Sequence, residues 1–175
     1  MEARLAEFVD QEVDLGDLPR RVLFTGGTSR WGMAMSFVDA KYDCVFGDLM
    51  FGLGLPIRIH TKRAVKIMAA VLMPVVSRVP FEWLYPTGEK QEIRTPKWIR
   101  DYEWATVIAG DCNYITHSMP DQMDGKIIVT NTTTDSDVRL FKSLGVKTLV
   151  TSTTVYESRS FGTNMMEAAL VAVSG

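Results

Sequence analysis

The residues with the types and spacing for chemistry begin at Thr25-Gly-Gly-Thr-Ser-Arg-Trp-Gly32. An apolar run, Val22 to Phe24, precedes them and reads as a buried strand; Met33 to Val38 follow and read as a helix. Strand, glycine turn and helix together aim backbone N–H groups and a positive helix end at a phosphate. From Gly27 the spacing is Gly-x-Ser-x-x-Gly, with Ser29 where the dinucleotide fingerprint has its second glycine. Serine adds a Cβ at the point of close approach, and also a hydroxyl that can bond a phosphate oxygen. Gly26 and Gly27 are expected to turn the chain through positive φ. Asp48 ends the next apolar run, at the distance of the carboxylate that holds an adenosine ribose. The cofactor-binding candidates are thus Gly26, Gly27, Thr28, Ser29, Arg30, Gly32 and Asp48. The plainer alternative is a pair of glycines that only joins a strand to a helix. A P-loop is disfavoured, because Met33-Ala34 follow Gly32 where a lysine and a hydroxyl residue are needed.

Other candidates stand at the ends of later apolar runs. Asp111 closes Thr106 to Ala109 and could act as a base or bind a hydroxyl; a turn or helix cap is the alternative. Asn131, Thr132 and Thr133 close Lys126 to Thr130 and could meet a ribose or nicotinamide, or cap the next helix. Lys90, beside Glu89 and flanked by Trp83 and Tyr85, could move a proton or grip a substrate carboxylate; a solvated charge cluster is the alternative. His60 and His117 have no metal-ligand spacing around them, so no metal is expected.

These residues need a scaffold, and the pattern supplies one. Strands are expected at about 22–25, 44–47, 106–109, 127–130 and 148–151, as continuous apolar runs without polar alternation. Helical segments separate them: 2–12, 33–38, 61–79 with Pro74 kinking or ending it, one starting at Thr95-Pro96, one after the capping box Thr134-Asp-Ser-Asp137, and 163–173. The fold expected is a doubly wound, Rossmann-like α/β domain over 1–175, with about five parallel strands and helices on both faces. Leu49 to Pro56 reads as an apolar, glycine-rich loop that packs on the sheet or on a partner. The stretch from Asp111 through His117 and Pro120 reads as a loop.

Composition narrows the function classes. The 175 residues are 46% apolar and 23% charged, with a net charge of −2. That balance gives no electrostatic reason to expect nucleic acid or an anionic membrane. The longest apolar stretch, Ala64 to Val76, is broken by Lys66 and Pro74 and is too short to span a bilayer. The two cysteines form no Cys-x-x-Cys, and the amino-terminal residues are unlike a secretory signal, so a reducing cytoplasm is expected.

Two resemblances follow from longer blocks. The glycine segment is similar to that of short-chain dehydrogenases, but no tyrosine here has a lysine four residues on, so that family's chemistry is rejected. Val45-Phe-Gly-Asp-Leu-Met-Phe-Gly-Leu-Gly-Leu-Pro56, Trp83 to Glu92, Ile108-Ala-Gly-Asp111, Thr130-Asn-Thr-Thr-Thr134 and Arg159 to Ala169 resemble a prokaryotic group labelled quinate or shikimate dehydrogenase-like. The resemblance implies an NAD(P)-dependent oxidoreductase, or its cofactor half, acting on a polyhydroxylated ring acid. It also implies a substrate domain missing from this chain, or a homo-oligomer, packed at residues 49–56. The alternative is a non-catalytic Rossmann-like module for a nucleotide or protein. NAD is expected over NADP: Asp48 facing a 2′-phosphate at about 4 Å costs roughly 4 kcal/mol at an effective dielectric of 20.

Overall fold

The computed structural model describes residues 2–76, 78, 94–156, 159–160, 168 and 171–172. A 3-10 turn (Glu2–Arg4) leads into α1 (Leu5–Glu12), β1 (Arg21–Phe24), α2 (Trp31–Asp39) and β2 (Asp43–Phe46). Then come α3 (Asp48–Leu53), α4 (Lys62–Val76), α5 (Ile99–Trp104), β3 (Val107–Ala109), α6 (Cys112–Ser118) and β4 (Ile127–Thr130). The last elements are α7 (Asp135–Ser143), β5 (Thr148–Thr151) and a short pair, β6 (Val155–Tyr156) with β7 (Arg159–Ser160).

The five long strands form one parallel sheet in the order β2-β1-β3-β4-β5. The fold is Rossmann-like α/β. Successive strand residues serve two cores. Val22, Phe24, Phe46, Val107, Ala109 and Val129 share one cluster with Leu5, Val9, Phe37 of α2 and Val65 of α4. Leu23, Val45, Ile108 and Ile128 share another with Tyr102 of α5, Ile115 of α6 and Phe141 of α7. Both faces are covered, which is why the buried stretches Val22 to Phe24, Val107 to Ala109 and Ile127 to Val129 read as unbroken apolar runs.

The chain leaves β1 for β2 on one side and reaches β3 on the other, so the strand order reverses between β1 and β3. In such sheets ligands bind outside the carboxyl ends of the strands at that point.

Three expectations are corrected. Residues 49–53 are helical, not looped: α3 buries Leu49 and Met50, and ends at Gly54 with φ 69°. Thr95-Pro96 does not start a helix. The N–H groups of Thr95 and Lys97 donate to the carbonyls of His117 and Ser118, bracing the end of α6, and α5 starts only at Ile99. Residues 112–118 are helical because Cys112, Ile115 and Met119 repeat at helical spacing and all face the core. The capping box at Thr134 and Asp137 forms as expected, with both reciprocal bonds made. The helix expected at 163–173 lies largely outside the described residues. Among those residues no helix is long and apolar enough to cross a membrane.

Candidate functional site

The glycine turn sits at the carboxyl end of β1, beside β3. The Thr25 N–H donates to the Ala109 carbonyl at 2.9 Å, and the Gly47 N–H to the Phe24 carbonyl at 2.8 Å. The turn thereby joins the ends of three strands. Its glycines are not there for positive φ: Gly26, Gly27 and Gly32 all stay outside the left-handed region, against the expectation for Gly26 and Gly27. Gly27 is required by packing instead. A Cβ there would stand 2.6 Å from Phe46 Cδ1 and 3.3 Å from Asp48 Oδ2. The left-handed glycine of the crevice is Gly110, with φ 146°, where a Cβ would collide with Thr25 Oγ1.

Asp48 begins α3 and reaches back to the turn. Its Oδ2 accepts the Gly27 N–H at 3.2 Å, and its Oδ1 accepts the Thr28 N–H at 2.8 Å and the Thr28 hydroxyl. A carboxylate has about four acceptor sites, so roughly one remains for a ligand hydroxyl. The two amides nearest the start of the fingerprint are therefore filled by the protein's own anion. Ser29 is also engaged, its hydroxyl donating to the Gly26 carbonyl at 3.0 Å.

Arg30 is the N-cap of α2 and supplies no side-chain acceptor to it. Its guanidinium lies 3.2 Å from Glu2 Oε1 and 3.7 Å from Asp111 Oδ2, with the side chain only 20% exposed. Gly32, in the first turn of α2, faces Glu2: a Cβ there would stand 3.4 Å from Glu2 Oε2. Glu2 thus holds its carboxylate at the helix end where the fingerprint would place a pyrophosphate.

Asp111 caps α6, accepting the Asn113 N–H at 3.0 Å. One turn on, the Tyr114 phenol is pushed up to about 12 by burial, then by the charges of Asp111 and Asp48. Tyr114 therefore stands within the field of both carboxylates and completes a cluster of Thr28, Arg30, Asp48, Asp111 and Tyr114 drawn from three strand ends. Reading residues 112–118 as a loop hid it; the Cys112-Ile115-Met119 spacing was the signal.

The rim beyond β4 is occupied differently. Asn131 is 6% exposed, and its carbonyl accepts the Thr153 and Ser160 hydroxyls at 2.9 and 3.1 Å. The Thr133 N–H donates to Ser160 Oγ at 2.7 Å. The β6–β7 pair is folded back over this strand end, so Asn131 and Thr133 serve as its anchors and are separate from the Asp48 cluster. Thr132, between them, is partly exposed. Nothing in the sequence marked Ser160 as their partner. Lys90, with Glu89, Trp83 and Tyr85, lies outside the described residues.

Two hydroxyls at the carboxyl rim, Thr25 Oγ1 and Ser152 Oγ, are buried without a hydrogen-bond partner. Thr25 stands at the β1–β3 junction. Ser152 lines a cleft of about 370 Å³ between α1 and β5, with Leu5, Phe8 and Val150. Both thiols are poor nucleophiles: Cys44 is pushed up to about 12 by burial, then by Asp43, and Cys112 is pushed up by burial, then by Asp137 and Asp111. Among the described residues no group of three or more His, Cys, Asp or Glu could hold a metal ion.

A family model described as a domain of unknown function (DUF8754) matches residues 1–175. The chain belongs to this family. No curated protein and no solved structure matches it. In this DUF8754 chain the residues suit the nucleoside side of a dinucleotide better than its phosphates. Asp48 keeps an acceptor site, while the amides of Gly27 and Thr28 are filled. The first turn of α2 is where a phosphate would fit, once Glu2 yields it.

Proposed function

We propose that the chain binds a nucleotide cofactor, NAD in preference to NADP, at the β1–β3 crevice. It would do so as an NAD(P)-dependent oxidoreductase resembling quinate or shikimate dehydrogenases, or as that enzyme's cofactor domain. The observation that carries this is Asp48, held rigidly by Gly27 and Thr28 at the end of β2 with acceptor capacity left over. A preorganised carboxylate binds ribose hydroxyls with little ordering cost. The same charge repels a 2′-phosphate, and Arg30, the nearest candidate to offset it, is engaged by Glu2 and Asp111. A bound dinucleotide would supply hydride transfer; the chain's own residues would bind and orient it. The substrate, a polyhydroxylated ring acid by resemblance, would come with a partner domain at the exposed Leu53, Leu55 and Ile57. Two buried, unpaired thiols support a cytoplasmic setting.

Calorimetric titration of the purified chain with NAD, NADP, AMP and S-adenosylmethionine tests the reading. Saturable binding of NAD and weaker binding of NADP are expected, and Asp48→Ala should relax the discrimination by weakening NAD and relieving NADP. Equal or tighter binding of NADP overturns the assignment of Asp48. No binding of any of the four to a folded chain favours the second reading, a Rossmann-like module without dehydrogenase chemistry. That reading draws on Asp111, whose carboxylate already caps α6 and pairs with Arg30.

A further inference from the structure

Helix α4 is apolar on two sides. Val65, Met68 and Leu72 belong to the core cluster beneath it. Away from that core stand Ile67, 56% exposed, and Val71, 66% exposed, with Arg63, Ala70 and Pro74 also exposed. Arg63, Ile67, Ala70 and Pro74 recur at alternating spacings of four and three residues, which is the seam of a two-helix interface. A helix with an apolar stripe on each side has a second surface to bury.

The charges along α4 are lopsided in a way that chooses the occupant. Its first turn carries Lys62 and Arg63, with Lys66 just beyond, and has no acid; its last turn has no base. These cations sit at the positive end of their own helix dipole, an unfavourable placement. Lys66 is turned to the Trp31 ring, 5.9 Å from its centre, which leaves Lys62 and Arg63 exposed. Beyond the helix, Arg78 donates to the Pro74 carbonyl.

We propose that α4 is a self-association surface, on which a second copy of the chain packs its own α4 antiparallel, crossing at Ala70. In that arrangement each Arg63 lies beside the other helix's carboxyl end, where the dipole is negative, and the apolar halves cover each other. A parallel arrangement would instead bring the two cationic first turns together. The short side chain of Ala70 lets the axes approach to about 8 Å, the near end of the usual range. An anionic bilayer fits less well: Arg63 is the only one of the three cations in the seam, and the chain's net charge is −2.

Sedimentation velocity of the full chain over a concentration series tests this. A monomer–dimer equilibrium with a dissociation constant on the order of micromolar is expected, as for a small interface. Ile67→Glu, on the exposed face, should weaken it roughly tenfold or more while the circular dichroism spectrum is unchanged. Ala70→Cys should cross-link to itself under mild oxidation and Ala64→Cys should not; both native cysteines are buried and stay silent. A chain that is monomeric throughout overturns the proposal. So does a dimer indifferent to Ile67→Glu, cross-linking through Ala64→Cys as readily as through Ala70→Cys, or a monomer that instead sediments with phosphatidylserine vesicles.

Discussion

Asp48 and Thr28 are joined twice, the Thr28 N–H at 2.8 Å and the Thr28 hydroxyl both donating to Asp48 Oδ1. Gly27 adds a third bond, to Oδ2. A carboxylate expected to grip a ribose is thus also the brace of the glycine turn, and the two roles make separate demands on it.

Asp48→Ala should lower stability by about 1–3 kcal/mol, because the turn loses its acceptor and the Gly27 and Thr28 amides lose their partner. Urea unfolding measures this without any ligand. Asp48→Asn keeps one carbonyl acceptor and should cost less. If Asp48→Ala unfolds at the same urea concentration as the parent, the brace is worth nothing and only the ligand role remains.

Gly27→Val cannot report on phosphate binding alone. Phe46 is wholly buried, its ring stacked on Phe24 with centroids 5.1 Å apart. A Cβ at 27 meets that ring. Gly27→Ala should cost roughly 1–3 kcal/mol by overpacking, and Gly27→Val more. Phe46→Leu should recover part of the Gly27→Ala loss, so a double-mutant cycle should show coupling. Additive losses would place the strain elsewhere.

Glu2→Gln should strengthen nucleotide binding. The Glu2 carboxylate lies over the first turn of α2 and pairs with Arg30, competing with a phosphate for both. Removing one anion from a helix amino end changes the balance by about 0.3–1 kcal/mol, or roughly two- to fivefold in affinity. The gain should appear with NAD and be absent with adenosine, which has no phosphate. An equal gain for both ligands would argue against a phosphate at this helix end.

Cys44 should resist alkylation by iodoacetamide at pH 8 until urea unfolds the chain, and Cys112 with it, since burial holds both thiols protonated. The same shift sets a pH dependence. Cys44 ordinarily titrates at 9.0 and in the fold at about 12. The unfolded chain therefore loses this proton first, and the contribution is fully present below pH 9 and is lost as pH rises toward 12. Stability that rises over that range, or fast native alkylation, would contradict the burial of these thiols.

The positions of the five sheet strands and of α1, α2, α4 and α7 were legible because their causes are local, whereas the short helices α3 and α6 read as loops. Short apolar runs such as Val22 to Phe24 and Ile127 to Val129 read as strands covered on both faces, and the capping box at Thr134 and Asp137 is built from residues three apart. For Asp111 a helix cap was one of two readings, but the helix that it caps read as a loop. What Asp48 does with its oxygens was not legible, because Gly27 and Thr28 approach it only when β1 and β2 lie side by side. The same holds for Gly27 against Phe46, for Glu2 over α2, and for Ser160 on Asn131 and Thr133, contacts between residues more than eighteen apart in every case. The sequence by itself determined that there would be a parallel sheet with a polar carboxyl rim. Only the tertiary structure decided which polar groups on that rim satisfy one another and which, like the Thr25 hydroxyl, are left over, because hydrogen-bond partners are set by distance in space and residue type records only what each group can donate or accept.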